Sequence, residues 1–196
     1  MSKNRLEAYT DAVIAILITL MVLNIQPPAT ATTFLGLKPI YFSITVYIIS
    51  FVVLATFWNN IHNVFQNVKT ISGRVLWGNN FFLLVLSFIP FSTRWVSEHF
   101  FMRDPQLLYG LIILCGDLAY YIIVRELIKS NEGTEEEGLI KHHRSKKMQI
   151  TLIVNVLALI LGFIYPPLVI IINLLMIIVI WLIPDKQLEN NADLID

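Results

Sequence analysis

Cysteine occurs once in this chain of 196 residues, at Cys115, which excludes an internal disulfide and a cysteine-built zinc cluster. Charge is scarce too: Asp, Glu, Lys and Arg make up 14% of the residues, where a soluble domain carries about 25%. Basic and acidic residues balance at 14 each, so the net charge is zero, and neither nucleic acid nor an acidic substrate is an expected partner. Hydrophobic residues fill the space that charge leaves, at 56% of the chain with a mean hydropathy of +0.69. That balance belongs to a bilayer. A span needs about 20 apolar residues, and six runs qualify: 8–26, 40–65, 71–97, 105–129, 148–166 and 167–184. They leave no room for an aqueous domain. The expected fold is an all-α integral membrane protein, a single six-helix domain over 1–196, with function seated in the membrane.

The first run, RLEAYTDAVIAILITLMVLNI from Arg5 to Ile25, organises the rest. Arg5, Glu7 and Asp11 crowd its start; from Ala12 to Leu23 nothing is charged and Thr19 is the one polar residue. At 100° per residue, Ile16, Leu20 and Leu23 share an arc of roughly 60°, with Thr19 beside it and Asp11 about 140° from Ile16. The stripe and the acid therefore face different neighbours. Lys3, Arg5, the apolar core and Ala29-Thr30-Ala31 also mimic a secretory signal. Glu7 and Asp11 are poor company for such a core, so the segment is expected to stay as a span.

The connections alternate sides. Pro27-Pro28 should end the first helix, Pro39 opens the second, Pro90 should kink the third, Pro105 starts the fourth, and Pro166-Pro167 separates the last two into a hairpin. With the N-terminus inside, the inner side holds Lys3, Arg5, Lys69, Arg74, Arg125, Lys129, Lys141, Arg144, Lys146, Lys147 and Lys186, eleven cations. The outer side holds three: Lys38, Arg94 and Arg103. The positive-inside rule then places both termini in the cytoplasm. The loop KHHRSKK reads as part of that bias, and Glu135–Glu137 as a solvated face.

A potassium filter built of carbonyl rings would need a TVGYG-like loop, which the sequence lacks. Arg5, three residues, then Tyr9-Thr10-Asp11 and an apolar run carrying Thr19 resemble the opening helix of the transmembrane protein 175 family, the lysosomal and prokaryotic potassium channels. That family carries Phe-Ser-Asp where this chain has Tyr9-Thr10-Asp11: an aromatic replaces an aromatic and a hydroxyl a hydroxyl. Phe57-Trp58 with His62, Trp77, Asn79 or Asn80, and Pro90-Phe91-Ser92-Thr93 extend the match through the first half. The second half agrees only in span count. The resemblance implies a homotetramer with a central pore lined by the first helix. It also implies an apolar constriction at Ile16, Leu20 and Leu23, with no cofactor, no resident metal, and potassium as the permeating ion.

The physics of such a throat is simple. Four copies of an Ile/Leu stripe around an axis make a hydrophobic constriction that dewets when tight, and an ion crossing it must shed water without replacement ligands. A modest potassium preference follows, because the larger ion dehydrates more cheaply, and a ring of Thr19 hydroxyls offers partial replacement. The plainer reading of the same stripe is ordinary helix packing.

Charge inside a span must be countered. Asp11 near the inner end should find Arg5, Thr10, His62 and one of Asn79 and Asn80, an interhelical cluster that either glues the bundle or tunes gating, with His62 as a pH-responsive member. Asp117, followed by Tyr120 and Tyr121, faces either another helix or a wet crevice. Two rival functions remain. An intramembrane aspartyl hydrolase needs facing carboxylates, for which Asp11 and Asp117 are the only pair. However, Leu114 occupies the first glycine position of a glycine-x-glycine-aspartate motif. A secondary transporter of a cation or small solute would show internal repeats and broken helices near midplane; Pro90 supplies a break, but no three-plus-three repeat is visible.

Overall fold

The computed structural model describes residues 3–68, 70–134, 137, 138 and 146–181. The basic run 141–145, Glu135, Glu136, Lys69 and Lys186 lie outside the described residues. Those described are helical or in turns: α1 Lys3–Leu23, a 3₁₀ segment Phe34–Ile40, α2 Tyr41–Gln66, α3 Gly73–Leu86, α4 Ile89–Glu98, α5 Arg103–Ser130, α6 Lys146–Gly162 and α7 Leu168–Met176, which runs on into a π-helical turn Ile177–Trp181. With α3 and α4 taken as one interrupted unit, six helical units remain, as expected. Four are long and apolar enough to cross a membrane: Lys3–Leu23, Phe34–Gln66, Gly73–Glu98 and Arg103–Ser130. The last two helices are apolar but shorter.

Local sequence accounts for the boundaries. Helix α1 stops at Leu23, before Pro27-Pro28, because each proline disfavours helix in the residue preceding it. Its free end is closed by i→i+3 bonds from Asn24 and Ile25 and by the Gln26 amide, which donates to the Leu23 carbonyl at 3.1 Å. In the third unit, Pro90 does more than kink. It sits in the first turn of α4, where its missing N–H costs nothing. Ser87 and Phe88 form a separate turn between α3 and α4. Pro105 occupies the first turn of α5 in the same way, with Asp104 beside it at the positive end of the helix dipole.

Helix α5 is the hub, packing against α3, α4, α6 and α7, while α1 packs against α2, α3 and α4. Tyr109, Phe82, Phe65, Leu54, Leu86, Ile89 and Ile123 are among the largest fully buried side chains of the bundle. The turn between α2 and α3 is tied to the end of α5: the Thr70 hydroxyl donates to Asn131 Oδ1 at 2.9 Å, and the Asn131 amide donates to the Leu127 carbonyl at 2.9 Å.

Candidate functional site

Helix α1 has two unlike faces. Leu6, Thr10, Ile14, Leu17 and Met21, spaced at three and four residues, are buried against the neighbouring helices. The other face touches little of its own subunit: Ile16 is 56% exposed, Leu20 45% and Leu23 67%. Thr19 lies on that face, and its hydroxyl donates to the Ile16 carbonyl at 2.8 Å, so its oxygen remains an acceptor. Towards the N-terminus the same face continues through Ala12, Tyr9, Ala8 and Arg5, all exposed.

The packed face is held by two separate polar contacts. Thr10 is buried; its hydroxyl donates to the Leu6 carbonyl at 2.9 Å and accepts from the Asn79 amide of α3 at 2.9 Å. The side-chain oxygen of Asn79, Oδ1, is buried without a hydrogen-bond partner. One residue on, Asp11 Oδ1 accepts from Trp58 Nε1 of α2 at 2.8 Å. The Trp58 ring stacks on His62 with centroids 5.1 Å apart, and His62 Nε2 meets the Gln66 amide at 2.7 Å. Lys3 completes this seam by donating to the Gln66 carbonyl at 3.0 Å. The structure thus brings Thr10 to Asn79, and Asp11 to His62 by way of Trp58. Arg5, Tyr9 and Asn80 are exposed and belong to neither contact within the subunit.

The C-terminal half of α1 is pinned differently. Thr93 of α4 donates to Ser50 of α2 at 2.8 Å, and Ser50 shares a 3.1 Å hydrogen bond with the Tyr109 hydroxyl of α5. Thr93 also stands 3.8 Å from Met21 Sδ. Sequence reasoning missed this buried chain and missed Trp58 as the partner of Asp11. The signals were present: small hydroxyl residues inside apolar runs favour helix contacts, and Trp58 and His62 are four apart, on one face of α2.

The two span acids do not share a site. Asp11 is bonded to Trp58, and Asp117 of α5 to the Asn155 amide of α6. A two-carboxylate reaction therefore has no assembled pair here. Among the described residues no three His, Cys, Asp or Glu side chains cluster to hold a metal ion. What the arrangement offers is a helix locked on one face and presenting an apolar ridge on the other.

Comparison with known proteins bears on the chain as a whole. A family described as endosomal/lysosomal potassium channel TMEM175 matches residues 5–90, the stretch from Arg5 to Pro90. A potassium channel of Chryseobacterium sp. (strain P1-3) is 37% identical over 191 residues, spanning 97% of this chain and 98% of that protein. A potassium channel of Streptomyces collinus is 29% identical over 125 residues, 59% of this chain and 60% of that protein. The crystal structure of a lysosomal potassium-selective channel TMEM175 homolog from Chamaesiphon minutus superposes with a TM-score of 0.67 at 21% identity, covering 90% of this chain and 96% of that one. At that identity the likeness establishes the shared helical fold.

Proposed function

We propose a function on one premise: this chain belongs to the TMEM175 family of potassium channels. It is a membrane-embedded, potassium-selective cation channel. Four copies surround an axis lined by α1, with Ile16, Leu20 and Leu23 as the constriction and Thr19 beside them. The observation that carries this reading is the ridge itself, more than half exposed at Ile16 and Leu23 on a helix whose opposite face is buried. Large apolar side chains left bare in one subunit fit either lipid or other copies of the same helix. A ridge that continues into exposed Arg5 and Tyr9 at one end and carries exposed Thr19 within it is better matched to a wetted passage than to lipid.

The mechanism follows from dehydration. A ring of Ile and Leu supplies no oxygen ligands, so an ion passes only when the ring widens enough to admit water, and the throat serves as a gate. Selectivity is modest, since it arises from the lower dehydration cost of potassium with help from the Thr19 oxygens. The interhelical contacts of Thr10 and Asp11 hold α1 in register and set how far it can move. The channel resides in a prokaryotic plasma (inner) membrane with both termini cytoplasmic, a placement supported by the eleven-to-three bias of inner over outer cations in the sequence.

Planar-bilayer recording with potassium on one side and sodium on the other tests this. A reversal potential displaced in favour of potassium, with current that needs no second substrate, is the expected result. Flux that depends on a co-transported solute would replace the channel with a transporter.

A further inference from the structure

One membrane-buried acid has no part in the ridge or its anchors. Asp117 lies near the middle of α5, about 20 Å from either end at 1.5 Å per residue, and is 9% exposed. Its Oδ2 accepts from the Asn155 amide. Among the described residues no donor reaches Oδ1. Beside the carboxylate is a cavity of about 20 Å³ between α2, α5 and the end of α7, enough for one water-sized particle, which needs roughly 10–15 Å³.

Two polar residues besides Asp117 line that cavity. Thr56 donates its hydroxyl proton to the Val52 carbonyl at 2.8 Å, leaving its oxygen free to ligate, and Asn60 lines the same space. The remaining lining is apolar: Val53, Phe57, Ile113, Met176 and Ile177. Ile177 begins the π-helical turn, a widened turn found often at functional sites. Among the described residues no cationic side chain faces the carboxylate. Helix α2 contributes Thr56 and Asn60, α6 contributes Asn155, the α7 end contributes Met176 and Ile177, and α3 and α4 contribute nothing to the lining. On α5 itself Tyr120 donates to the Asn60 carbonyl at 3.4 Å. The nearest charges along α5, Arg125 and Glu126, are about 12 Å further along the helix.

A carboxylate in the hydrocarbon region is expensive unless something of opposite charge accompanies it. Among the described residues nothing of the kind stands beside it, but the cavity offers space and further oxygens. We propose that this cavity is an alkali-cation site, in which one dehydrated ion of about sodium size binds the Asp117 carboxylate with Thr56 and Asn60 as additional oxygen ligands. A single carboxylate suits a single charge, and hard oxygen donors suit an alkali ion. Neutralisation by a proton would use the carboxylate but neither of the other oxygens nor the space. The site lies within one subunit, away from the α1 ridge, so its test is independent of the channel reading.

The experiment uses the intact chain in detergent and the hydrophobic reagent dicyclohexylcarbodiimide, which modifies buried carboxyl groups in their protonated form. Modification of Asp117 is read by mass spectrometry at fixed pH and ionic strength, in choline chloride against sodium chloride. Asp117 is expected to react in choline and to be protected about fivefold when sodium reaches four times its dissociation constant. Thr56→Val, which keeps shape and removes one ligand, should raise the sodium concentration for half-protection about tenfold, the cost of one modest contact. Asp117 that fails to react in choline, or whose reactivity follows pH and ignores sodium, overturns the site. Unchanged half-protection in Thr56→Val does so as well. The wild-type measurement stands even if a variant misfolds.

Discussion

Trp58 Nε1 reaches Asp11 at 2.8 Å while its ring lies on His62, so one side chain both answers the acid of α1 and orients the imidazole behind it. Replacing Trp58 by Phe keeps most of the apolar contact and removes the N–H. The loss of a hydrogen bond to a charged group should destabilise the subunit by about 1.5–3 kcal/mol, read as a lower midpoint of thermal unfolding in detergent, with potassium preference retained in the channels that survive. Thr10→Ala should act through Asn79. That residue already has one buried oxygen without a partner, and it would lose its donor contact too, at about 1–3 kcal/mol. On the exposed face the expected change is in current, not stability. Leu20→Ser or Leu23→Ser places a hydroxyl in the throat. If this lowers the dehydration barrier by about 1.4 kcal/mol, leak through the closed state rises about tenfold and discrimination between potassium and sodium falls. Recordings indistinguishable from wild type in both variants would remove the ridge from the permeation path.

At the scale of elements, the tightest fit is where α5, α6 and α7 meet. A methyl group added at Gly110 would stand 2.5 Å from Val169 Cγ1 and 2.9 Å from Leu159; one added at Gly162 would also strike Val169. Both glycines exist to let helices close over one β-branched side chain, which cannot swing aside as a longer one could. Gly162→Ala should therefore cost about 1–3 kcal/mol through overpacking. Combining it with Val169→Ala should recover part of that loss, so that the double variant is more stable than the two single effects summed. Thermal unfolding of all four proteins measures the coupling, and strict additivity would show that the contact does not limit packing. The α3–α4 break is of the same kind. Pro90 predicts a kink from sequence, and the structure resolves it into a full turn at Ser87-Phe88 that directs α4 to place Thr93 against Ser50 and Met21.

For the whole molecule, the decisive surface is the one a lone subunit leaves bare. Phe34, Leu35, Ile16, Leu23 and Trp77 are all strongly exposed, and lipid accounts for most such positions without further argument. The proposed channel adds that the α1 share of this surface turns inward among four copies. Chemical crosslinking in mild detergent should then yield a ladder ending at four chains, and a monomer that still conducts would refute the shared axis.

Sequence alone determined the number of helical units, the division of α1 into stripe and acid, and the family. A bilayer demands long apolar runs with prolines at their ends, and those constraints act along the chain, where they can be counted. Only the tertiary structure decided which helix answers each buried polar group. Asp11 chose Trp58 over Arg5, Thr10 took Asn79 over Asn80, and Asp117 took Asn155 from a helix 38 residues away. Those pairings depend on how each helix is rotated and how closely its neighbours approach, which the packing of Gly110, Gly162 and Val169 sets for the bundle as a whole. A linear pattern carries the face a residue lies on; the residue opposite that face is fixed only when the helices have packed.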